Sequence, residues 1–257
     1  MPTLHAISER LDVVLRTRET PDYPPAVNGI QLENRGEIRR VAAAVDCSLR
    51  TIDGAIASGA NLLIVHHGLL WGGIQPIRGA LYERLHRLLA SDVAVYSSHL
   101  PLDAHRELGN NVLLAAELGL LPNGGFARFQ GIEIGVRGES DVTTAEIVAR
   151  AGAFAMKHGG RALATSFEPS RVTRQWGICT GAGASAETLR EAVALGLDTL
   201  IVGEGPHWTA VDAPELGLAI VYAGHYATET LGVQALARLV EREFGLPWQF
   251  IEAPTGL

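Results

Sequence analysis

The chain alternates short apolar runs with stretches of helical periodicity, and this pattern predicts an α/β protein. An amphipathic helix is predicted at the N-terminus. After it, the predicted elements of the first half are 38–47 (strand), 49–59 (helix), 61–68 (strand), 80–92 (helix), 93–99 (strand) and 104–120 (helix). This βαβαβ order favours a parallel or mixed sheet covered by helices.

The second half begins with a segment rich in turn-forming residues, 121–130, which is a candidate domain boundary. The predicted elements after it are a strand at 131–138, a helix at 143–158, a strand–loop–helix–strand unit at 172–205, a strand at 218–224 and a helix from about 226 to 244. Gly245 and Pro247 are expected to end the last helix.

Composition and charge argue against several classes of protein. The formal net charge of -7 disfavours nucleic-acid binding through phosphate neutralisation. Cys47 and Cys179, the only cysteines, form no disulfide framework, which fits a reducing compartment. The N-terminus lacks the apolar core of a signal peptide, and no apolar run is long enough to span a membrane. A cytoplasmic protein with no membrane partner is therefore expected.

Three predicted strands end in residues that can bind a metal ion. The candidates are His66 and His67 at the end of the strand 61–68, His99 and Asp103 at and after the end of the strand 93–99, and His225 and Glu229 after the strand 218–224. In open α/β sheets, ligands gather outside the carboxyl ends of the strands. These three strand ends therefore predict a metal site.

The adjacent histidines pose a geometric problem, because successive side chains of a strand point to opposite faces. His66 and His67 can reach one site if the strand ends at Val65 and the chain turns at Gly68. The alternative is a hydrogen-bonded pair of structural histidines at the end of a strand.

The other candidates also have structural alternatives. Asp103 precedes a predicted helix, where aspartate is a favoured N-cap. Glu229 can serve as an acid in the first turn of a helix, complementing the helix dipole. His99 is interpreted as a partner that orients a metal ligand.

The types of ligand limit the choice of metal. Imidazoles and carboxylates without thiolates suit zinc, manganese, iron or cobalt. One catalytic zinc ion needs about three protein ligands, whereas five or more candidates can hold two ions.

A glycine-rich loop suggests a different chemistry. Gly181, Gly183 and Ala186 form a G-x-G-x-x-A pattern between a predicted strand and a helix, and Glu204 follows at the end of the next strand. This arrangement is typical of dinucleotide-binding sites, although short glycine loops also occur in ordinary strand-to-helix turns. Glu204 and His207 can alternatively face the metal site.

Four segments in this order resemble the Nif-three-like dinuclear metal-centre proteins, often called GTP cyclohydrolase I type 2 homologues. They are NLLIVHHGLLWGG, VAVYSSHLPLDAHRELGNNVLLAAELGL, GICTGAGASAETLREAVALGLDTLIVGE and AGHYATETLGVQALARL. The resemblance covers nearly the whole chain. Its departures from the family pattern include Gly68, where proline is common, and the early loop that keeps Asn28, Gly29 and Gln31.

The resemblance implies two α/β domains with mixed sheets flanked by helices and a metal site in the inter-domain cleft. The implied domains are a discontinuous metal-binding domain, 1–127 plus 207–257, and an inserted second domain, 128–206. The implied ligands of two metal ions are His66, His67, Asp103, His225 and Glu229. A homo-hexamer built as a trimer of dimers is also implied.

The leading functional hypothesis is a metal-dependent hydrolase acting on a phosphoester or nucleotide-like substrate. Glu204 or His99 would then be the acid–base group. One alternative is a non-enzymatic protein that binds metal or regulates an assembly. The other is nucleotide binding by the loop at 181–186.

Overall fold

The computed structural model describes residues Met1–Leu257, which form two compact units. The first unit comprises Met1–Leu102 and Gly232–Ala253. The second unit comprises Asp103–Leu231 and Pro254–Leu257. The predicted domain boundaries at 127 and 206 both lie within the second unit.

The chain contains ten α-helices and eleven β-strands. In chain order the helices are α1 Leu4–Leu15, α2 Leu49–Ala57, α3 Ala80–Ala90, α4 Leu100–Asp103, α5 Asn110–Glu117, α6 Thr144–Lys157, α7 Ala186–Ala194, α8 His207–Glu215, α9 His225–Thr228 and α10 Thr230–Phe244. The strands are β1 Gly29–Leu32, β2 Val41–Asp46, β3 Leu62–His67, β4 Ala94–Ser97, β5 Pro122–Phe129, β6 Ile132–Thr143, β7 Leu163–Ala164, β8 Val172–Cys179, β9 Thr199–Val202, β10 Ala219–Tyr222 and β11 Trp248–Phe250. No helix is both long enough and apolar enough to cross a membrane.

The first unit is built on a five-stranded sheet in the order β1-β4-β3-β2-β11. All neighbours are parallel except β1, which pairs antiparallel with β4. Strands β2 and β3 are buried along nearly their whole length, as expected for parallel strands covered on both faces. Ser48 is the N-cap of α2 and forms a reciprocal capping box with Thr51. The predicted mixed sheet covered by helices is confirmed.

The second unit is built on a six-stranded mixed sheet in the order β5-β6-β8-β9-β10-β7. Strands β8, β9 and β10 are parallel, and antiparallel strands extend the sheet on both sides. The parallel ends of β8 and β9 support the glycine-rich loop and the loop that carries Glu204.

The segment 121–130 is rich in turn-forming residues, but in the structure it is mainly strand β5. Its turn-forming residues are explained by close packing within the sheet. A side chain at Gly125 would overlap the carboxylate of Glu133 on β6. The actual turn lies at Gln130 and Gly131, which both have positive φ.

Two predicted helices differ from the structure near the candidate ligands. The segment 104–120 contains only α5, and Asp103 ends the one-turn helix α4. Gly109, not Asp103, occupies the N-cap of α5, so the capping alternative for Asp103 is wrong. The helix predicted from about 226 is interrupted at Glu229, which separates α9 from α10.

Candidate metal centre

The adjacent histidines of the first unit lie in the same cluster, although strand β3 does not end before them. It continues to His67, which is paired with Asp46 of β2. The two imidazole rings are nevertheless only 4.8 Å apart between centroids. The Nδ1 atom of His66 lies 2.9 Å from the carbonyl oxygen of Ser98, and that of His67 lies 2.9 Å from Oδ1 of Asp46. Each ring is thus held by a different neighbour of the strand.

His99 completes this group, which we call the histidine cluster (His66, His67 and His99). Its ring centroid is 4.9 Å from that of His66 and 5.7 Å from that of His67. The three residues offer ring nitrogens that all lie within 4.8 Å of one another. The cluster therefore has the spacing and the chemistry of a metal-binding group.

Asp22 orients His99, and sequence reasoning did not identify it. Its Oδ1 lies 2.8 Å from Nδ1 of His99 and accepts from the amide of Tyr23 at 2.7 Å. Its Oδ2 accepts from Nδ2 of Asn28 at 2.8 Å and from the amide of Leu100 at 2.9 Å. Burial opposes ionisation of this carboxyl, but its hydrogen bonds and the charge of His99 outweigh burial and lower its pKa.

The candidates of the second unit include one histidine between two carboxylates. Nε2 of His225 lies 3.2 Å from Oε2 of Glu229, and its Nδ1 lies 2.8 Å from Oε1 of Glu204. The spacing of four residues thus places the side chains of His225 and Glu229 next to each other. Burial acts to lower the pKa of His225, but hydrogen bonds and the charges of Glu229 and Glu204 raise it to about 9.

Asp103 ends α4 at the start of the second unit and is not in a group of side chains with metal-ligand spacing. Its Oδ1 accepts a hydrogen bond from Nδ2 of the fully buried Asn110 at 2.8 Å. Burial, followed by the charges of Asp103 and Glu229, raises the pKa of the Cys179 thiol to about 12.

The partners of the histidines determine which ring nitrogen is available to a metal. At His66, His67, His99 and His225, Nδ1 faces a carbonyl or a carboxylate oxygen. Because these oxygens only accept hydrogen bonds, Nδ1 carries a proton, and in a neutral ring the lone pair is then on Nε2. His225 differs from the other three, because its Nε2 faces the carboxylate of Glu229, so both of its nitrogens carry protons when the ring is charged. His105 is the opposite case, because its Nδ1 accepts from the amides of Glu107 and Leu108.

The glycine-rich loop is explained by packing within the second unit. A side chain at Gly181, where φ is +61°, would overlap the carboxylate of Glu229, and one at Gly183 would overlap the carbonyl of Cys179. At the start of α7, Ser185 and Thr188 satisfy each other's amides in a capping box. These contacts account for the glycines without a bound nucleotide. His207, the other candidate near this loop, begins α8 and is exposed.

The fold and these side chains define a mixed α/β protein with histidine and carboxylate groups suited to divalent metal ions. Its family follows from the whole chain. Residues 2–255 match the family model Duf34/NIF3 (NGG1p interacting factor 3), and the chain belongs to this family.

Relatives with the same descriptive name occur in distant organisms. A GTP cyclohydrolase 1 type 2 homolog of Deinococcus radiodurans is 43% identical over 95% of this chain and 90% of its own length. The homolog of Escherichia coli strain K12 is 34% identical over 96% of this chain and 97% of its own length.

Solved structures confirm the fold. The structure of protein ybgI, described as of unknown function, has a TM-score of 0.89 and 33% identity, and covers 99% of this chain and 100% of that chain. The crystal structure of TTHA1606 from Thermus thermophilus has a TM-score of 0.81 and 35% identity, with 98% of both chains covered.

Proposed function

We propose that this protein is a metal-dependent hydrolase acting on a phosphoester or a nucleotide-like substrate. Two divalent ions, of zinc, manganese, iron or cobalt, would be its cofactors. The ligands would be His66, His67, Asp103, His225 and Glu229. Such a pair of ions supplies Lewis-acid chemistry, since it neutralises charge on the scissile group and lowers the pKa of water.

The observation that carries the proposal is the common orientation of the histidines. In both units the Nδ1 atoms of the proposed histidine ligands are held by oxygen acceptors, so Nε2 is the nitrogen that would bind a metal. At His225 the metal would replace the proton between Nε2 and the carboxylate of Glu229. Structural histidines need hydrogen bonds too, but the three proposed histidine ligands all have the same nitrogen held by an acceptor, which makes them a consistent set. The carboxylates of Asp103 and Glu229 provide the negative charge that divalent ions require.

Two further side chains are proposed to handle protons. His99 keeps its Nδ1 on Asp22, so Nε2 is the atom that can accept a proton from an attacking water. Glu204 holds His225 through Oε1, and its half-exposed carboxylate can exchange a proton with a leaving group. His225 itself would be a ligand, and its orientation would depend on Glu204.

Metal content per chain tests the metal centre. Untagged protein should contain about two ions per chain by elemental mass spectrometry. His67→Ala and His225→Ala test the two units separately, and each should lower the content. His86→Ala is the control, because His86 stacks on Tyr82 on the surface of α3 and should leave the content unchanged. Metal-free protein after reconstitution would refute the proposal.

Turnover separates an enzyme from a protein that only binds metal. Metal-loaded protein should hydrolyse a member of a phosphoester and nucleotide panel, and a chelator should abolish the activity. His99→Gln should reduce the rate while the metal content stays at the wild-type value. Full metal loading with no turnover on any compound would favour the non-enzymatic alternative.

Assembly and location are also proposed from the resemblance to the family. We propose a homo-hexamer that acts in the cytoplasm. Sedimentation equilibrium of the full chain should give six times the protomer mass, and a monomer or a dimer would contradict this assembly.

A further inference from the structure

Two half-exposed aromatic rings lie beside the histidine cluster. Trp71 follows β3, and its ring centroid is 4.7 Å from that of His99 and 5.6 Å from that of His67. Tyr23 lies 6.1 Å from His99 and meets Trp71 edge to face at 6.4 Å. Both rings therefore contact the histidine cluster.

Both rings are only partly buried. Trp71 is 40% exposed and Tyr23 is 49% exposed. Aromatic side chains stabilise a fold mainly by burial of their large surfaces. A tryptophan and a tyrosine that keep much of their surface open beside a polar cluster are thus available to a ligand.

Hydrogen bonds hold the backbone of both segments that carry these rings. The amide of Tyr23 donates to Asp22, the same carboxylate that orients His99. The loop that carries Trp71 is anchored where the amide of Leu69 donates to Oε1 of Gln31 at 2.7 Å. A side chain at Gly68 would overlap Gln31, which explains glycine at this position. The ring pair is therefore positioned before any ligand arrives.

We propose that Trp71 and Tyr23 form a subsite for the planar ring of the substrate, such as a nucleobase. This inference rests on the proposed function, since it names the group that the substrate carries beside its phosphoester. The open π-face of an aromatic side chain stacks on any base and does not select by hydrogen bonds. The subsite would therefore favour nucleotides over acyclic or sugar phosphates without distinguishing strongly among bases.

Two ligands that differ only in the base test the subsite: adenosine 5′-monophosphate and ribose 5-phosphate. Calorimetric titration of metal-loaded protein should show at least tenfold tighter binding of the nucleotide. Trp71→Leu should lower the nucleotide affinity about five- to a hundredfold and leave ribose 5-phosphate unchanged. Trp71→Phe should retain most of the preference, because it keeps an aromatic face.

A tyrosine pair provides a matched control. Tyr23→Leu should weaken nucleotide binding, whereas Tyr82→Leu should not. Tyr82 is equally exposed, at 50%, and also contacts a histidine, but that histidine, His86, lies outside the cluster.

The outcomes separate this subsite from the metal centre. Equal affinity for the two ligands, or no effect of Trp71→Leu on nucleotide affinity, would overturn the subsite. If the wild-type protein still contained about two metal ions per chain, the proposed metal centre would remain supported. Loss of metal in Trp71→Leu would overturn it too, because Trp71 would then be a cover for the histidines. Failure of metal loading in the wild type would instead remove the proposed function first, and the subsite with it.

Discussion

The histidine cluster of the first unit and the His225 group of the second differ in where their carboxylates lie. In the first unit, Asp22 and Asp46 face the Nδ1 side of the rings, away from Nε2. In the second unit, His225 has Glu204 on one nitrogen and Glu229 on the other. The first group presents imidazole rings whose orientation is set at Nδ1, whereas the second concentrates two carboxylates around one histidine. Orientation would therefore suit the first group to a cation, and negative charge would suit the second.

The second group also depends on glycine packing, and this gives the largest expected effect. Gly183→Ala places a methyl group against the carbonyl of Cys179, so the backbone must move. We expect a loss of about 3 kcal/mol of unfolding free energy and a fall in Tm of roughly 6–12 °C, measured by thermal denaturation. The matched control is Gly152→Ala in α6, where a methyl group meets nothing within 4 Å. That variant should be neutral or slightly more stable.

Removal of the carboxylates that face Nδ1 compares the two groups directly. Asp46→Ala and Glu204→Ala should each weaken metal binding about 10- to 100-fold, because the ring is no longer oriented. Asp46→Asn and Glu204→Gln should have smaller effects, since an amide oxygen still accepts from Nδ1. Competition with a fluorescent chelator measures the affinities. An unchanged affinity in Glu204→Ala would show that Glu229 alone is sufficient to hold His225.

Asp22 should contribute to stability as well as to the orientation of His99. Asp22→Asn replaces one acceptor oxygen with a donor that faces existing donors, and we expect a loss of about 1.5 kcal/mol in urea unfolding. Because its pKa is lowered in the folded protein, the stabilisation is present above the unfolded pKa and is lost as the pH falls. The variant should therefore lose less stability on acidification than the wild type. The exposed Asp53, paired with Arg87, provides a control in Asp53→Asn.

The cysteines are expected to show the smallest effect, and each unit contains one of them. Burial raises the pKa of the Cys47 thiol to about 12, and it raises the pKa of the Cys179 thiol to about 12 as well. At pH 8 almost no thiolate forms, so neither should react with iodoacetamide in the native protein. Mass spectrometry should detect alkylation of both only after denaturation. Selective labelling of Cys179 would indicate that the second unit opens locally.

The sequence allowed a good prediction of the strands and of the residues at their ends. Apolar runs located β2, β3 and β4 within a few residues, because buried parallel strands are nearly continuous in hydrophobicity. The turn-forming residues of β5 misled the prediction, since its glycines reflect contacts with β6 that no local pattern reveals. The break between α9 and α10 was also missed, because His225 and Glu229 have helical spacing across it.

The partners of the histidines could not be predicted in the same way. Asp22 and His99 are 77 positions apart, and Asp22 lies in a proline-rich loop with no periodicity. The alternation rule for strands suggested that His66 and His67 needed a strand end at Val65. The structure instead keeps the strand pairing and brings the rings together through separate partners on each side. Such contacts depend on tertiary structure.

The division of the chain has a consequence for its synthesis. Most of the second unit is continuous in sequence, whereas the first unit needs β11, which pairs with β2 near the opposite end of the chain. On the ribosome the second unit can fold while the edge of β2 is still unpaired. An exposed strand edge invites pairing with other chains. The nascent protein is therefore most prone to aggregation in the interval before β11 emerges.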